Sequence, residues 1–443
     1  MVGELLLISD FPKKLANTTS DPRIKSSLGF CAELIDLAMD SLEETVSALE
    51  IGDVKKILNS KKIDDLHTSL SAVSTYHETC FDEVSTDPTI SRTLKSAMQN
   101  STEYTSNSLA IVARVLSTLR DFETPVHRRL LNSPNWVSPT VRRLLQDKNL
   151  TPNVTVAKDG SGDVKTVNEA VAKVPIKGKT MFLIYVKSGT YVENVELDKS
   201  KRHVMMYGDG KTKTIISGSH SNGVKGIGFI MRDIGIINTA GPTMGQAVAF
   251  RSESEASVYY RCSFDGYQDA LYPHANTQFY RDCDVTGTVD FICGDAAAVF
   301  QNCTIRPRQP LPGQYNTITA QSRSKRDHKT GFSIQRCTIS ANGNVTAATY
   351  LGRPWKKFST TVIMESTIGP LVKAEGWMAW DDKPNIFYGE YKNSGPGSDL
   401  TQRITWDSYK PVMSDAEAKK FTVATFLKGN DWLPATGVPY EST

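Results

Sequence analysis

A helical bundle followed by a parallel β-helix is the architecture this sequence predicts, and three observations carry it. Glycine is almost absent between Cys31 and Arg120, where Gly52 is the one exception, and apolar residues recur there at helical spacing. From Val154 the composition turns to Gly, Val, Ile, Thr, Phe and Tyr, a strand-rich texture. Within that second region a short pattern repeats: a polar pair, a Cys or small residue, one further residue, then an apolar one.

The bundle spans residues 1–125. Leu34, Ile35, Ala38 and Leu42 define one amphipathic stretch, and Leu109, Val112, Val115 and Leu116 another. A bundle alone names no activity. Residues 126–152 read as a linker, broken by Pro134, Pro139 and Pro152. It carries Arg128-Arg129-Leu130-Leu131 and Arg142-Arg143-Leu144-Leu145, and two such dibasic runs in an exposed linker suit a processing protease.

Residues 153–443 form the solenoid. The repeat is centred on positions 234, 262, 283, 303, 337 and 366, in steps of 28, 21, 20, 34 and 29 residues. A unit of about 20 residues with variable insertions is the signature of a coil whose loops bulge from one face. No helical pattern is interleaved, which favours a parallel β-helix over a leucine-rich horseshoe. Equivalent residues of neighbouring rungs then stack about 4.8 Å apart. Cys262, Cys283, Cys303 and Cys337 become a ladder in which any adjacent pair meets the Cα spacing of a disulfide, or in which all simply fill the core.

The same register places two carboxylates together. Asp269 lies seven residues after Cys262, and Asp290 seven after Cys283. Two close carboxylates do not ionise alike: one keeps its proton and works as an acid, the other stays anionic as a nucleophile or charge stabiliser. An Asp pair in a solenoid is more often a pair of turn caps, but the neighbours tilt the balance. Gln268 and Gln246 offer amides to an oxyanion, and Leu351-Gly352-Arg353-Pro354-Trp355 offers a guanidinium for one Asp and a ring suited to stacking on a sugar. There is no G-x-S-x-G elbow, no H-E-x-x-H, no P-loop and no dinucleotide fingerprint. No metal or cofactor is implied.

Bulk properties set the outer bounds. The chain has 443 residues, a formal net charge of +3 and 22% charged residues, which argues against a nucleic-acid binder. No apolar run is long enough to span a membrane. Seven cysteines leave at least one unpaired within the chain. Six N-x-[ST] sequons occur, at Asn17, Asn100, Asn149, Asn153, Asn302 and Asn344, although the first fourteen residues lack a signal-peptide core.

Five motifs in order give the second region a specific resemblance: Gly189-Thr190-Tyr191-Val192-Glu193, Gln246-Ala247-Val248-Ala249-Phe250, Gln268-Asp269-Ala270-Leu271-Tyr272, Gly287-Thr288-Val289-Asp290-Phe291-Ile292-Cys293-Gly294 and Leu351-Gly352-Arg353-Pro354-Trp355. From about Asn153 to Tyr440 the chain resembles the plant pectin methylesterases. That resemblance implies a right-handed parallel β-helix and hydrolysis of the methyl esters of homogalacturonan, without a cofactor. It implies Asp290 as nucleophile, Asp269 as acid and then base, Gln246 and Gln268 as oxyanion donors, and Arg353 as the partner of the nucleophile. Gln246, Arg353, Trp355, Tyr272 and Phe291 are implied as substrate contacts.

The first region resembles the inhibitor-like pro-region of the same family. Cys31 and Tyr76-His77-Glu78-Thr79-Cys80 match its second cysteine pair, and the first pair and the first helices have no counterpart. The resemblance implies a Cys31–Cys80 disulfide, a Cys303–Cys337 disulfide and a free Cys262. It also implies a secreted glycoprotein of the plant cell wall, expected to be monomeric, with pectin as substrate and the helical domain as an inhibitor within the chain or in trans. On this reading Met1 begins partway into the precursor.

Three departures stand out. Between Ser217-Gly218-Ser219-His220 and Gly228-Phe229-Ile230 the chain is about a dozen residues shorter than the family pattern, which predicts the loss of part of a rung. Cys293 replaces an aromatic residue. Asp295 replaces Asn and is expected to add negative charge beside Asp290. These departures motivate an alternative, a pectin-binding homologue without turnover. A further alternative makes the inhibitor-type domain the main functional module.

Overall fold

The repeat is one rung of a three-sided coil. In a computed structural model, which describes residues 2–49, 60–122, 150–380 and 385–443, successive rungs add one strand each to sheets of eleven, seven and eight strands. All the strand pairs are parallel, so every strand is followed by a turn onto the next face. The repeat centres are the turn from the first face to the third. Cys283, for example, lies between strands Thr277–Arg281 and Asp284–Gly287.

The residue before each centre shows why the pattern recurs. Asp233, Arg261, Asp282, Asn302, Arg336 and Glu365 all have φ between 49° and 59°, the left-handed region. That conformation bends the chain in one residue. For residues other than Gly it is unfavourable, and cross-rung bonds offset the cost here. Arg261 donates to both oxygens of Asp233 at 2.7 and 2.6 Å, Asn302 to Asp282 at 2.7 Å, and Arg336 to Glu365 at 2.7 Å.

Inside the coil, equivalent side chains stack. Tyr259, Tyr280 and Phe300 lie in register with ring centroids 4.6 and 4.5 Å apart, all fully buried. The four cysteines stack likewise. Cys262, Cys283, Cys303 and Cys337 are buried free thiols, each aimed at a backbone carbonyl of an earlier rung: Met231, Tyr259, Tyr280 and Phe300, at 3.3–3.6 Å. The expected Cys303–Cys337 disulfide is therefore corrected: the ladder repeats one environment, and each sulfur is turned to a carbonyl. On the outer face of the first sheet, Val423, Leu427, Trp432 and Leu433 from the end of the chain cover Met205, Ile230, Val258 and Phe279.

The shortened segment does not break a rung, which corrects the second expectation. Strand Asn222–Val224 pairs with Phe250–Ser252 on one side and Glu196–Leu197 on the other. The Asn222 side chain accepts from Val195 N at 2.8 Å and donates to Ala249 O at 3.3 Å, tying three rungs. The tight return passes at Gly226, where a Cβ would collide with the Lys201 carbonyl.

The helices form a separate compact unit, which also takes in Ser324–Lys329. It contains α1 (Val2–Ile8), α2 (Phe11–Ala16), α3 (Pro22–Leu49), α4 (Ser60–Glu83), α5 (Pro88–Ala97) and α6 (Gln99–Phe122). The predicted stripe of α3, Leu34, Ile35, Ala38 and Leu42, is buried; in α6, Leu109, Val112 and Leu116 are buried and Val115 is half-buried. Cys31 and Cys80 join α3 to α4 in a disulfide, with Cα atoms 4.8 Å apart. Helix α5 starts on Asp87, whose carboxylate accepts from Thr89 N and Ile90 N, with Pro88 at the first helical position. Both Arg-Arg-Leu-Leu runs lie outside the described residues.

Candidate active site

Asp269 and Asp290 occupy equivalent points on adjacent rungs: Leu271 pairs with Ile292, and Asp269 N donates to Val289 O at 3.0 Å. Both have left-handed backbones, φ 58° and 53°. Strain of this kind persists only where its surroundings hold it, and it concentrates at functional sites. Asp290 lies in the turn between strands Asp284–Gly287 and Ile292–Gly294. Val289 and Phe291 both remain in the interior, while the carboxylate turns to meet Arg353.

The partners of Asp290 fix its position. Arg353 donates from Nε to Oδ1 at 2.8 Å and from Nη2 to Oδ2 at 2.5 Å, a fork onto a carboxylate only 5% exposed. Thr317 donates its hydroxyl to Oδ1 at 2.6 Å and accepts from Asp290 N at 2.8 Å. Arg353 is itself held: Nη1 donates to the Tyr315 hydroxyl at 3.0 Å, and the Trp380 ring centroid lies 3.9 Å from the guanidinium carbon. Burial works against the charge of Arg353, but the bonds to Asp290 outweigh it and raise its pKa.

Asp269 is in the opposite state. Burial, and then the charge of Asp290, push its carboxyl well above the usual carboxylate range, with Arg353 opposing. Asp290 thus lies in the fork of a cation, while the burial of Asp269 and the charge beside it oppose its ionisation, a difference of the kind that acid and nucleophile require.

Gln246 and Gln268 stand side by side on neighbouring rungs, in a parallel bridge with Ala247 N donating to Gln268 O at 3.2 Å. Gln268 is joined directly to Asp269, so the bridge lies next to the pair along the chain. Tyr272 and Trp355 face each other at 6.4 Å between ring centroids, both half-buried, and form an aromatic floor beside it. Beneath Tyr272 lies a buried charge cluster. Arg251 packs against the Tyr272 ring and pairs with Glu253, while His274 Nδ1 bonds Glu253 at 2.7 Å. Burial acts against the charge of Glu253, but Arg251 and His274 bring its pKa down to about 2.

One expectation fails here. Phe291 is fully buried in the core, so it cannot touch substrate. Asp295 is held by neutral donors. It is buried, and it accepts from Gln321 Nε2 at 3.1 Å and from the Thr330 hydroxyl. Cys293, buried one position beyond Ile292, has its thiol pushed up by burial and then by both aspartates. Sequence reasoning missed Thr317, Tyr315 and Trp380, because no spacing rule links them to the aspartates. Among the described residues no group of three or more His, Cys, Asp or Glu is arranged to hold a metal, and no helix is long and apolar enough to cross a membrane.

Comparison with known proteins agrees with this geometry. The family described as Pectinesterase matches residues 153–430, and that described as Plant invertase/pectin methylesterase inhibitor matches residues 5–111. The chain is 60% identical over 470 residues to Pectinesterase 1 of Arabidopsis thaliana, covering 99% of this chain and 80% of that protein. It is 50% identical over 463 residues to Pectinesterase 3 of Phaseolus vulgaris, covering 98% and 79%. The solved structure of pectin methylesterase from carrot matches with a TM-score of 0.65 at 44% identity, covering 67% of this chain and 99% of that one.

Proposed function

The chain belongs to the pectinesterase family and carries an inhibitor-type helical domain ahead of the esterase fold, and from that membership we propose how its site works. The substrate is methyl-esterified homogalacturonan, and the products are methanol and free galacturonate carboxylates. Asp290 attacks the ester carbonyl, and the Gln246 and Gln268 amides receive the developing oxyanion. Asp269 gives its proton to the departing methanol. It then takes a proton from water, which attacks the acyl intermediate and returns Asp290 to its carboxylate. Tyr272 and Trp355 form the floor on which the neighbouring sugar lies.

The observation that carries this reading is the asymmetry of the aspartates: Asp290 is gripped by Arg353, and Asp269 has no such partner among the described residues and has its carboxyl pushed up by burial and by Asp290. The full chain should release methanol from highly methylated pectin, and Asp290→Asn should abolish release with circular dichroism unchanged. Well-folded wild-type protein that releases no methanol even after cleavage in the linker 126–152 refutes the activity. A near-normal rate in the Asn variant refutes the nucleophile. The intact rung weighs against the reading of the chain as inactive.

The helical unit acts as an inhibitor-type domain, within the chain or in trans. Limited proteolysis in the linker 126–152 tests it: methanol release should rise on cleavage, and an unchanged rate counts against it. The setting is the plant cell wall. Asn17, Asn100, Asn153, Asn302 and Asn344 are exposed and open to glycosylation, whereas Asn149 lies outside the described residues. Sugar on any of them in protein from a plant secretory host, absent after amidase treatment, checks this.

A further inference from the structure

The three donors around Asp290 are not shared evenly between its oxygens. Oδ1 accepts from Arg353 Nε at 2.8 Å and from the Thr317 hydroxyl at 2.6 Å. Among the described residues, Oδ2 accepts only from Arg353 Nη2, at 2.5 Å. A carboxylate oxygen has about two acceptor sites. Both are taken on Oδ1, and one is free on Oδ2. Attack on a carbonyl carbon needs a lone pair that no donor holds.

We propose that Thr317 is a positioning residue for the hydrolysis: it occupies Asp290 Oδ1 and leaves Oδ2 as the oxygen that attacks the ester. The inference rests on the reading of Asp290 as nucleophile. Thr317 lies in strand Asn316–Gln321, on the rung after Asp290, and is fully buried, so it acts through the carboxylate and not on the sugar. The bond is reciprocal. Because Asp290 N donates to the Thr317 oxygen at 2.8 Å, the hydroxyl proton is directed at Oδ1. A β-branched side chain on a strand holds that rotamer with little freedom. The same pair of bonds pins the left-handed backbone of Asp290.

In the step itself, Oδ2 forms the bond to the carbonyl carbon as the carbonyl π pair moves to its oxygen. The tetrahedral species collapses with loss of methoxide, which takes the Asp269 proton. Water then cleaves the acyl bond at the substrate carbon, its proton passing to Asp269, and both oxygens of Asp290 are restored. The net change is ester plus water to acid plus methanol.

The test compares Thr317→Val, Thr317→Ser and Asp290→Asn in the full chain, with thermal melting of each. Val keeps the shape and removes the donor. It should lower kcat about tenfold, the scale of one hydrogen bond to a charged group, with KM within about twofold. Ser should restore kcat to within about twofold of wild type, because it keeps the hydroxyl. If Val does not fold, Thr317→Ala takes its place with the same expectation. Wild-type kcat in the donor-less variant, a loss carried by KM alone, or failure of Ser to rescue would overturn the proposal. If Asp290→Asn keeps its turnover, the nucleophile reading itself has failed. If that variant is dead while Thr317→Val matches wild type, only the role of Thr317 has failed.

Discussion

The Trp380 ring lies 3.9 Å from the guanidinium carbon of Arg353, on the cation that holds Asp290. A cation–π contact on a desolvated cation is worth about 2 kcal/mol and shields the ion pair from water. Trp380→Leu should therefore lower kcat by about 3- to 30-fold, the range of 0.5–2 kcal/mol, and Trp380→Phe should recover most of it. Steady-state methanol release measures both. Equal rates in the Leu variant and wild type would show that the contact contributes nothing.

Arg353→Lys separates charge from geometry. The fork reaches both oxygens of Asp290, whereas an ammonium is a point donor on a flexible stem. Losing one charge-assisted bond corresponds to about 10- to 100-fold in kcat. Added guanidinium at millimolar concentration should restore part of the rate in Arg353→Ala and none in Arg353→Lys, where the stem fills the space. A Lys variant with wild-type kcat would mean that positive charge alone suffices.

The fold was readable because it repeats. Six left-handed turns impose the same bend, so a polar residue recurs before each centre from 234 to 366, and the centre itself is small from 262 onward. The aspartate pair was readable because Asp269 and Asp290 share one offset, seven residues, from cysteines on adjacent rungs. Arg353, 63 residues from Asp290, was readable only through the motif that carries it, and Thr317, 27 residues away with no motif, was not readable. Phe291 was misread because the resemblance gives a motif and not a side-chain direction: Phe291 is fully buried beside Asp290. The expected disulfide at Cys303 and Cys337 failed because rung spacing makes every neighbour in the ladder equally close, and so selects no pair.

Asp269→Asn should trade activity for stability. Burial, and then Asp290, raise the carboxyl of Asp269 above its unfolded value. Such a group favours the folded state below its unfolded pKa, about 3.9, and loses that contribution as pH rises through the folded pKa. At neutral pH the wild type carries a cost that a neutral amide avoids. The variant should melt roughly 2 °C or more higher at pH 7, converge with wild type near pH 3, and release no methanol. Calorimetry across that range checks the sign. A variant less stable at pH 7 would refute the account of Asp269.

Cysteine titration tests the ladder. Cys262, Cys283, Cys293, Cys303 and Cys337 are free and at most 3% exposed, and Cys31 is bonded to Cys80. An aromatic disulfide reagent should find essentially no thiol in the native protein and five per chain after unfolding in guanidinium without reductant. Three after unfolding would mean that two rungs are cross-linked.

The last prediction concerns the segment that carries Trp380. Glu390 accepts from Arg403 Nε at 2.9 Å, Arg403 Nη2 at 3.2 Å, Trp377 Nε1 at 3.1 Å and the Tyr409 hydroxyl at 2.7 Å, and the Glu390 and Arg403 side chains are both 2% exposed. Arg403 also donates to the carbonyls of Ala374 and Gly397. The cluster thus fastens the chain at Trp377, and Met378 N donates to Gly352 O at 2.9 Å, next to Arg353. Glu390→Gln leaves a buried guanidinium without its counter-charge, at a cost of about 3–5 kcal/mol. The urea midpoint should fall accordingly. Because the fastened segment borders Arg353, kcat should fall even where the variant is fully folded. A variant with a lowered midpoint and wild-type kcat would confine Glu390 to stability and separate the cluster from the site.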